Sequence, residues 1–273
     1  MPGLSSAFNL KASTWGKVSK REEMAGWIFA APAILGFLIF VLGPMVVSFY
    51  FSMTDYTITK PPSTFGFQNY INLFNGTDIY FYKSLGVTAY YVILSVPLQI
   101  SFSYFLALLL NQKVKALGLF RTIYYLPSIV PSVASSMIWL WLVDPDLGIF
   151  NEILRSLHLP TSMWIYEETT VVPTLAIMSL WTIGGTMLIF LAALQDIPAQ
   201  YYEAAYIDGA NSFHRFLHIT IPMTTSTIFF NLIMGFIGGF QVFSQPYIMT
   251  QGGPNNSSLF YVYYLYREAF TFQ

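Results

Sequence analysis

The sequence predicts an all-α membrane protein, a polytopic bundle of transmembrane helices, and three observations carry that expectation. Apolar residues fill 55% of the 273 positions and charged residues only 9%, where a soluble domain carries roughly a quarter. The apolar residues form five long runs, about 27–52, 85–110, 122–143, 171–194 and 223–249, each long enough for the roughly 20-residue helix that crosses hydrocarbon. None of these runs contains Asp, Glu, Lys, Arg or His. The net charge of −1 leaves no basic field for nucleic acid. The absence of cysteine excludes disulfides, thiolate metal sites and thiol catalysis.

Residues 1–23 form a basic tail with Lys11, Lys17, Lys20 and Arg21. The uncharged run from Trp27 to Phe51 is too long for a signal-peptide core and lacks a small-x-small cleavage site, so it reads as a retained first span. Basic residues then set the sides. The tail, the loop at 111–121 (Lys113, Lys115, Arg121) and the loop 195–222 (Arg215) hold eight, against Lys60, Lys83, Arg155 and Arg267 in the alternate segments. The first set is expected in the cytosol, with the N-terminus.

Pro44 and Pro97 fall within helical runs, and Pro127 and Pro131 near the start of the third, where each removes an N–H and can bend the helix. The outer loop Asp144 to Thr170 has five carboxylates and one arginine, and reads either as a docking rim or as a solvated cap. After the fifth run, Ser257 to Phe270 is too short and too charged to re-cross, and reads as an interfacial helix rich in tyrosine.

The stretch EAAYIDGANSFHRFLHITIP, Glu203 to Pro222, interrupts this apolar pattern. Pro198 suits the first turn of a helix, Gly209 the left-handed residue that ends one, and Asn211 or Ser212 the cap of a second, expected to run to His218. Pro222 is then expected to open the fifth span. Tyr201, Tyr202, Tyr206 and Phe213 beside Glu203, Asp208 and Arg215 have the composition of an interface anchor, or of an interfacial turn with tyrosines at the headgroups.

The spacing E-A-A-x3-G-x9-I-x-L-P resembles the signature loop of membrane-spanning subunits of ATP-binding-cassette importers. Glu203, Ala204, Ala205, Gly209, Ile219 and Pro222 match it, and Ile221 stands for the leucine. FRTIYYLPSIVPSVASSMIWLWLVDPDLGIFN, LAALQDIP, TQGGP and the opening span are similar to the carbohydrate branch of that family, the maltose- and glycerol-phosphate-type permeases. The resemblance implies that the loop is a coupling helix seated in a cleft of a cytosolic ATPase, through Glu203, Ala204, Ala205, Asp208, Gly209, Phe213, Arg215 and Pro222. It implies a second homologous permease as partner, two ATPase subunits and an extracytoplasmic sugar-binding protein, in a bacterial cytoplasmic membrane. Such permeases usually have at least six spans, and the sixth is expected beyond FTFQ. Residues 24–273 would then be the transmembrane domain.

The residues agree on energetics. The spans hold no ionisable side chain for an internal proton relay, and no G-x4-GK-[ST] phosphate loop is present. Energy must come from a partner, which the resemblance implies is an ATPase that binds ATP and magnesium, with no cofactor in this chain. Uncharged sugars want aromatic faces, amides and hydroxyls. The fourth run offers Ser179, Trp181, Thr182 and Thr186 around Gly184 and Gly185; the fifth offers Asn231, Phe240, Gln241, Phe243, Ser244 and Gln245 around Gly238 and Gly239. By resemblance the midpoints of these runs line the sugar site, with Gln241 and Thr182 foremost and the glycines packing helices. His214 and His218 lack a third metal ligand, and Asp144 and Asp146 beside Pro145 read as a turn. An importer for a non-sugar solute, or a membrane enzyme or scaffold, stay as alternatives.

Overall fold

The structure is a computed structural model that describes residues 20–57, 60–112 and 116–271. Lys11, Lys17, Lys113 and Lys115 lie outside the described residues. The chain divides into two compact units, Met1–Phe74 and Asn75–Gln273. Among the described residues three helices are long and apolar enough to cross a bilayer, and there are five crossings if each of two bent helix pairs is one.

The first unit holds α1 (Lys20–Phe37), a π-helical turn at Leu38–Leu42, α2 (Gly43–Ser52) and the short α3 (Gln68–Phe74). Beyond its charged first turn, Lys20 to Glu23, the run to Ser52 is apolar on every side, as a helix in lipid is. The π turn has a cause two residues further on. Pro44 has no N–H and its ring crowds the carbonyl four residues back, and a five-residue turn, closed by Gly43 N–H on the Leu38 carbonyl, widens the helix just ahead of it. Beyond α2, Asp55 accepts hydrogen bonds from the Ser63 and Thr64 amides, both at 2.8 Å, and from the Ser63 hydroxyl at 2.5 Å. That hydroxyl and the two amides hold the Asp55 carboxyl far below the usual carboxylate range.

The second unit is built around α4 (Ile79–Leu110). Asp78 caps it, accepting from the amides of Tyr80 and Phe81, so the helix starts before the predicted 85 and carries Lys83. Its buried residues recur at helical spacing and are mostly small or β-branched, among them Ser84, Thr88, Val92, Ser95, Val96, Ser103 and Ala107. Small side chains let backbones approach: Gly235 and Gly239, from the last long helix of the chain, stack on Val96 and Val92, where a Cβ would come within 2.9 Å of either valine.

The predicted third span is two helices, α5 (Leu117–Ile129) and α6 (Ser132–Leu142), bent by 99°. Pro131 forces its predecessor out of the helical region, and Val130 is extended at ψ 128°. Pro127, by contrast, is accommodated inside α5. The loop after α6 carries α7 (Ile149–Ser156) and is knotted around Asn151, 1% exposed. The Asn151 amide donates to the Pro145 and Ser162 carbonyls, and its oxygen accepts from the Ser162 amide and the Trp164 indole, all within 3.1 Å. Asp144 accepts from the amides of Asp146 and Leu147, the turn expected there. Asn151→Leu leaves four part-buried polar groups without their partner, at up to about 1–3 kcal/mol each, so hydrogen exchange across 144–170 should rise at least tenfold while exchange in α4 stays unchanged.

The fourth span is α8 (Val171–Ser179) and α9 (Gly184–Gln195), bent by 53° around a 3₁₀ turn at Leu180–Thr182. The loop follows as α10 (Ala199–Ile207) and α11 (Ser212–Arg215). Two expectations are corrected here. The second short helix does not stop at His218 and Pro222 does not open a new span, because α11 runs through a π turn at Phe216–Thr220 into α12 (Ile221–Phe240) without a break. The proline is again tolerated by the widened turn, closed by Ile221 N–H on the Phe216 carbonyl. At the other end the helix stops at Phe240, not 249: after the flexible pair Gly238–Gly239 the chain leaves the helix at Gln241, and Pro246 starts a separate π turn. The final α13 (Tyr261–Phe270) packs on α4 with Tyr263 and Tyr264 buried, a docked helix more than a floating one.

Candidate functional site

Between α4, the α5–α6 bend, the α8–α9 bend and α12 lies a cavity of about 460 Å³, within the range of about 300–1,000 Å³ usual for small-ligand sites. Each break in the helices feeds it. The α5–α6 corner supplies Ser128, Val130, Ser132 and Ser135, the end of α8 and its 3₁₀ turn supply Ser179, Trp181 and Thr182, and the close pairing of α4 with Gly235 and Gly239 leaves room beside Asn231 and Gly238. In lipid such non-helical backbone is tolerated where it lines a cavity.

Of the polar and aromatic residues singled out in the sequence, Ser179, Trp181, Thr182, Thr186, Asn231 and Gln245 line this cavity and Phe240, Gln241, Phe243 and Ser244 do not. Gln241 is the exposed residue that closes α12, and Phe240, the last residue of that helix, is 45% exposed. Sequence reasoning passed over Gln99, Tyr91, Ser128, Ser132 and Ser135. Gln99 had a signal, as the one side-chain amide within the run 85–110. No lining residue is ionisable at neutral pH: three amides, six hydroxyl residues of Ser and Thr, Tyr91 and the Trp181 indole face a wall of aliphatic side chains. Ser135 is buried, and its hydroxyl has no hydrogen-bond partner.

The loop at the opposite end of α12 is built by local hydrogen bonds. Pro198 is the N-cap of α10, one position ahead of expectation. Gly209, at φ +77°, closes the helix with the paired bonds of a Schellman turn, Gly209 N–H on the Tyr206 carbonyl and Ala210 N–H on the Ala205 carbonyl. Asn211 then caps α11 by accepting from the His214 amide at 2.8 Å. Arg215 donates to the Ser212 hydroxyl. Glu203, Ala204 and Asp208 stand exposed, as do Tyr206, Ile207 and Phe213, the last three at 74%, 84% and 70%. Apolar side chains left so open on a small polar loop mark a contact surface.

Tyr202 is a correction. It is not an exposed anchor: it turns inward, and its hydroxyl pairs with that of Thr220 at 2.9 Å. One turn along, Thr224 pairs with Tyr104 of α4 at 2.8 Å. Tyr202 and Ile219 also pack on the core formed by Ala107, Leu110, Met187, Phe190, Leu191, Leu194 and Ile197. The loop is therefore fastened to the same helices that wall the cavity. His214 and His218 stack ring on ring at 4.2 Å, and among the described residues there is no group of three or more His, Cys, Asp or Glu placed to hold a metal.

Comparison with known proteins agrees with this architecture. Residues 99–269 match the family described as binding-protein-dependent transport system inner membrane component. The chain is 39% identical over 257 residues to a probable ABC transporter permease protein, YesP, of Bacillus subtilis, covering 93% of this chain and 82% of that one. It is 36% identical over 259 residues to the lactose transport system permease protein LacF of Rhizobium radiobacter (92% and 85% covered), and 32% identical over 266 residues to the arabinooligosaccharides transport system permease protein AraP of Bacillus subtilis (96% and 84%). In fold it is similar to a chain of a bacterial ABC transporter that imports the acidic polysaccharide alginate, with a TM-score of 0.78 at 22% identity over 92% of this chain and 85% of that one. The chain belongs to the binding-protein-dependent transport system inner membrane components, the multi-pass permease subunits of ABC importers.

Proposed function

We propose that this permease conducts an uncharged sugar or oligosaccharide across the bacterial cytoplasmic membrane, and the observation that carries the reading is the cavity without ionisable groups joined through α12 to an exposed contact loop. Relatives named for lactose and for arabinooligosaccharides support a saccharide cargo. A second solved structure of similar fold, a bacterial alginate ABC transporter in complex with a pentasaccharide-bound periplasmic protein, supports delivery by a binding protein.

In this reading the chain pairs with a second permease, and the loop 198–219 seats in a cleft on one of two cytosolic ATPase subunits, which hold the ATP and magnesium. Tyr206, Ile207 and Phe213 supply the apolar anchor, Glu203, Asp208 and Arg215 the polar rim. Closure of the ATPase pair moves the loop, the Tyr202–Thr220 and Tyr104–Thr224 pairs pass the motion to α12 and α4, and the cavity changes the side to which it opens. The coupling exists only in so far as the two states hold the loop differently. Inside the cavity, Gln99, Asn231 and Gln245 with Thr182 and Thr186 match sugar hydroxyls, and Trp181 offers a ring face. The N-terminus lies in the cytosol.

In proteoliposomes carrying the assembled transporter, Gln99→Leu with Thr182→Val should lower saccharide uptake about tenfold, the loss of one to two hydrogen bonds at about 1 kcal/mol each, while basal ATP hydrolysis stays unchanged. Glu203→Ala should instead depress both uptake and sugar-stimulated hydrolysis with normal membrane insertion. A wild-type complex that moves no saccharide from a broad panel would overturn the sugar reading.

A further inference from the structure

We propose that a file of aromatic rings beyond the end of α12 is a second, outer sugar subsite, on which a saccharide stacks before it enters the cavity. The inference rests on the sugar reading and deepens it.

Phe243 and Tyr247 lie 5.1 Å apart and within 15° of parallel. Tyr266 of α13 sits 5.2 Å from the first and 5.4 Å from the second, and Phe270 continues the file 5.1 Å from Tyr266. The inner end is at the cavity: Phe243 falls between Val242 and Gln245, which line it, and its neighbour Ser244 accepts a hydrogen bond from Ser132, another lining residue. The far end is open, with Tyr247 41% and Phe270 72% exposed.

Packing uses only part of those two rings: Tyr247 meets Tyr263 edge-on at 5.9 Å and Tyr266 at 5.4 Å, and Phe270 meets Tyr266, yet both keep exposed surface. The docking of α13 is provided by Phe260, Leu259, Tyr263 and Tyr264, all buried, by the Tyr261 amide on the Thr88 hydroxyl at 2.8 Å, and by the Tyr264 hydroxyl on the Asp78 carboxylate. Tyr247 and Phe270 add exposed ring surface beyond that. A pyranose presents a face of C–H groups that lies against the electron-rich face of an aromatic ring, and its hydroxyls point outward to be met at the ring edges. Rings about 5 Å apart, Phe243 and Tyr247 near parallel and Tyr266 turned 60–70° to them, lead from open surface to a cavity of amides and hydroxyls and suit a chain of sugar units longer than the cavity itself holds.

The test uses the assembled transporter in proteoliposomes, with its binding protein, its ATPase subunits and the shortest and longest saccharides that the wild type takes up. Wild-type uptake by itself decides the sugar reading, so failure there is separate from failure here. Tyr247→Leu with Phe270→Leu keeps apolar volume and removes the ring faces; kcat/KM should fall about tenfold for the longest saccharide and less than twofold for the shortest. Tyr247→Trp should hold wild-type values for both. Unchanged kcat/KM for the longest saccharide would mean that the rings are only an interfacial belt, and an equal fall for both lengths would mean that they only hold α13 in place; either result overturns the proposal.

Discussion

Gly184→Ala should lower the melting temperature of the protein by roughly 10 °C, whereas the same change one residue later, Gly185→Ala, should leave it within a degree or two. A Cβ on Gly184 would lie 2.4 Å from the Tyr124 carbonyl oxygen and 2.7 Å from the Tyr125 Cα, backbone atoms of α5 that no rotamer change can move. Around Gly185 nothing stands within 4 Å. Overpacking costs about 1–3 kcal/mol even where side chains can yield, and about 3 kcal/mol corresponds to some 6–12 °C at 2–4 °C per kcal/mol. Gly239→Ala and Gly235→Ala should fall between the two, because the atoms in their way are valine methyl groups. Thermal unfolding of the purified protein in detergent, followed by light scattering, ranks the series. Equal melting temperatures for the Gly184 and Gly185 variants would disprove the backbone contact between α5 and α9 on which one wall of the cavity stands.

That pair also marks what could be read in advance. Hydropathy located the apolar runs, because a bilayer imposes a length and a polarity that any sequence must obey. The sequence also held the loop: the left-handed glycine at 209 and the cap at Asn211 are local matters of backbone and one side chain, and they stand where spacing placed them. What was not legible was where a run bends. Pro127 and Pro131 look alike in sequence, yet one sits inside α5 and the other turns the chain by 99°. Pro222 was expected to begin a helix and is instead carried within one, since a π turn absorbs its ring at the cost of one wider loop. The cavity depends on those bends, so its lining was half legible: Thr182, Trp181 and Asn231 stood out as polar residues amid apolar runs, while Ser128, Ser132 and Ser135 gained meaning only once the α5–α6 corner turned them toward Gln99.

At Gly209, Ala and Val should impair transport strongly and Asn should not. The residue sits at φ +77°, and a Cβ added there would meet nothing within 4 Å, so space is not the constraint. Conformation is. A left-handed L-residue costs roughly 1–2 kcal/mol, more when β-branched, while Asn tolerates the region. Between 1.4 and 2 kcal/mol is about a 10- to 30-fold fall in the closed-to-open ratio of the corner. The loss is local: Gly209 and Ala210 donate the bonds that finish α10, and Asn211 begins the next helix, so an opened corner frees α10 from α11 and slackens the line from Tyr206 and Phe213 through Thr220 into α12. Membrane insertion and the melting of the bundle should stay normal, because the core around Phe190 and Met187 is untouched. Uptake in proteoliposomes should drop about tenfold for Gly209→Ala, further for Gly209→Val, and less than threefold for Gly209→Asn. If Asn proves as damaging as Val, the corner matters for the bare surface that glycine offers a partner and not for its backbone angle; if none of the three has an effect, energy does not enter through this loop.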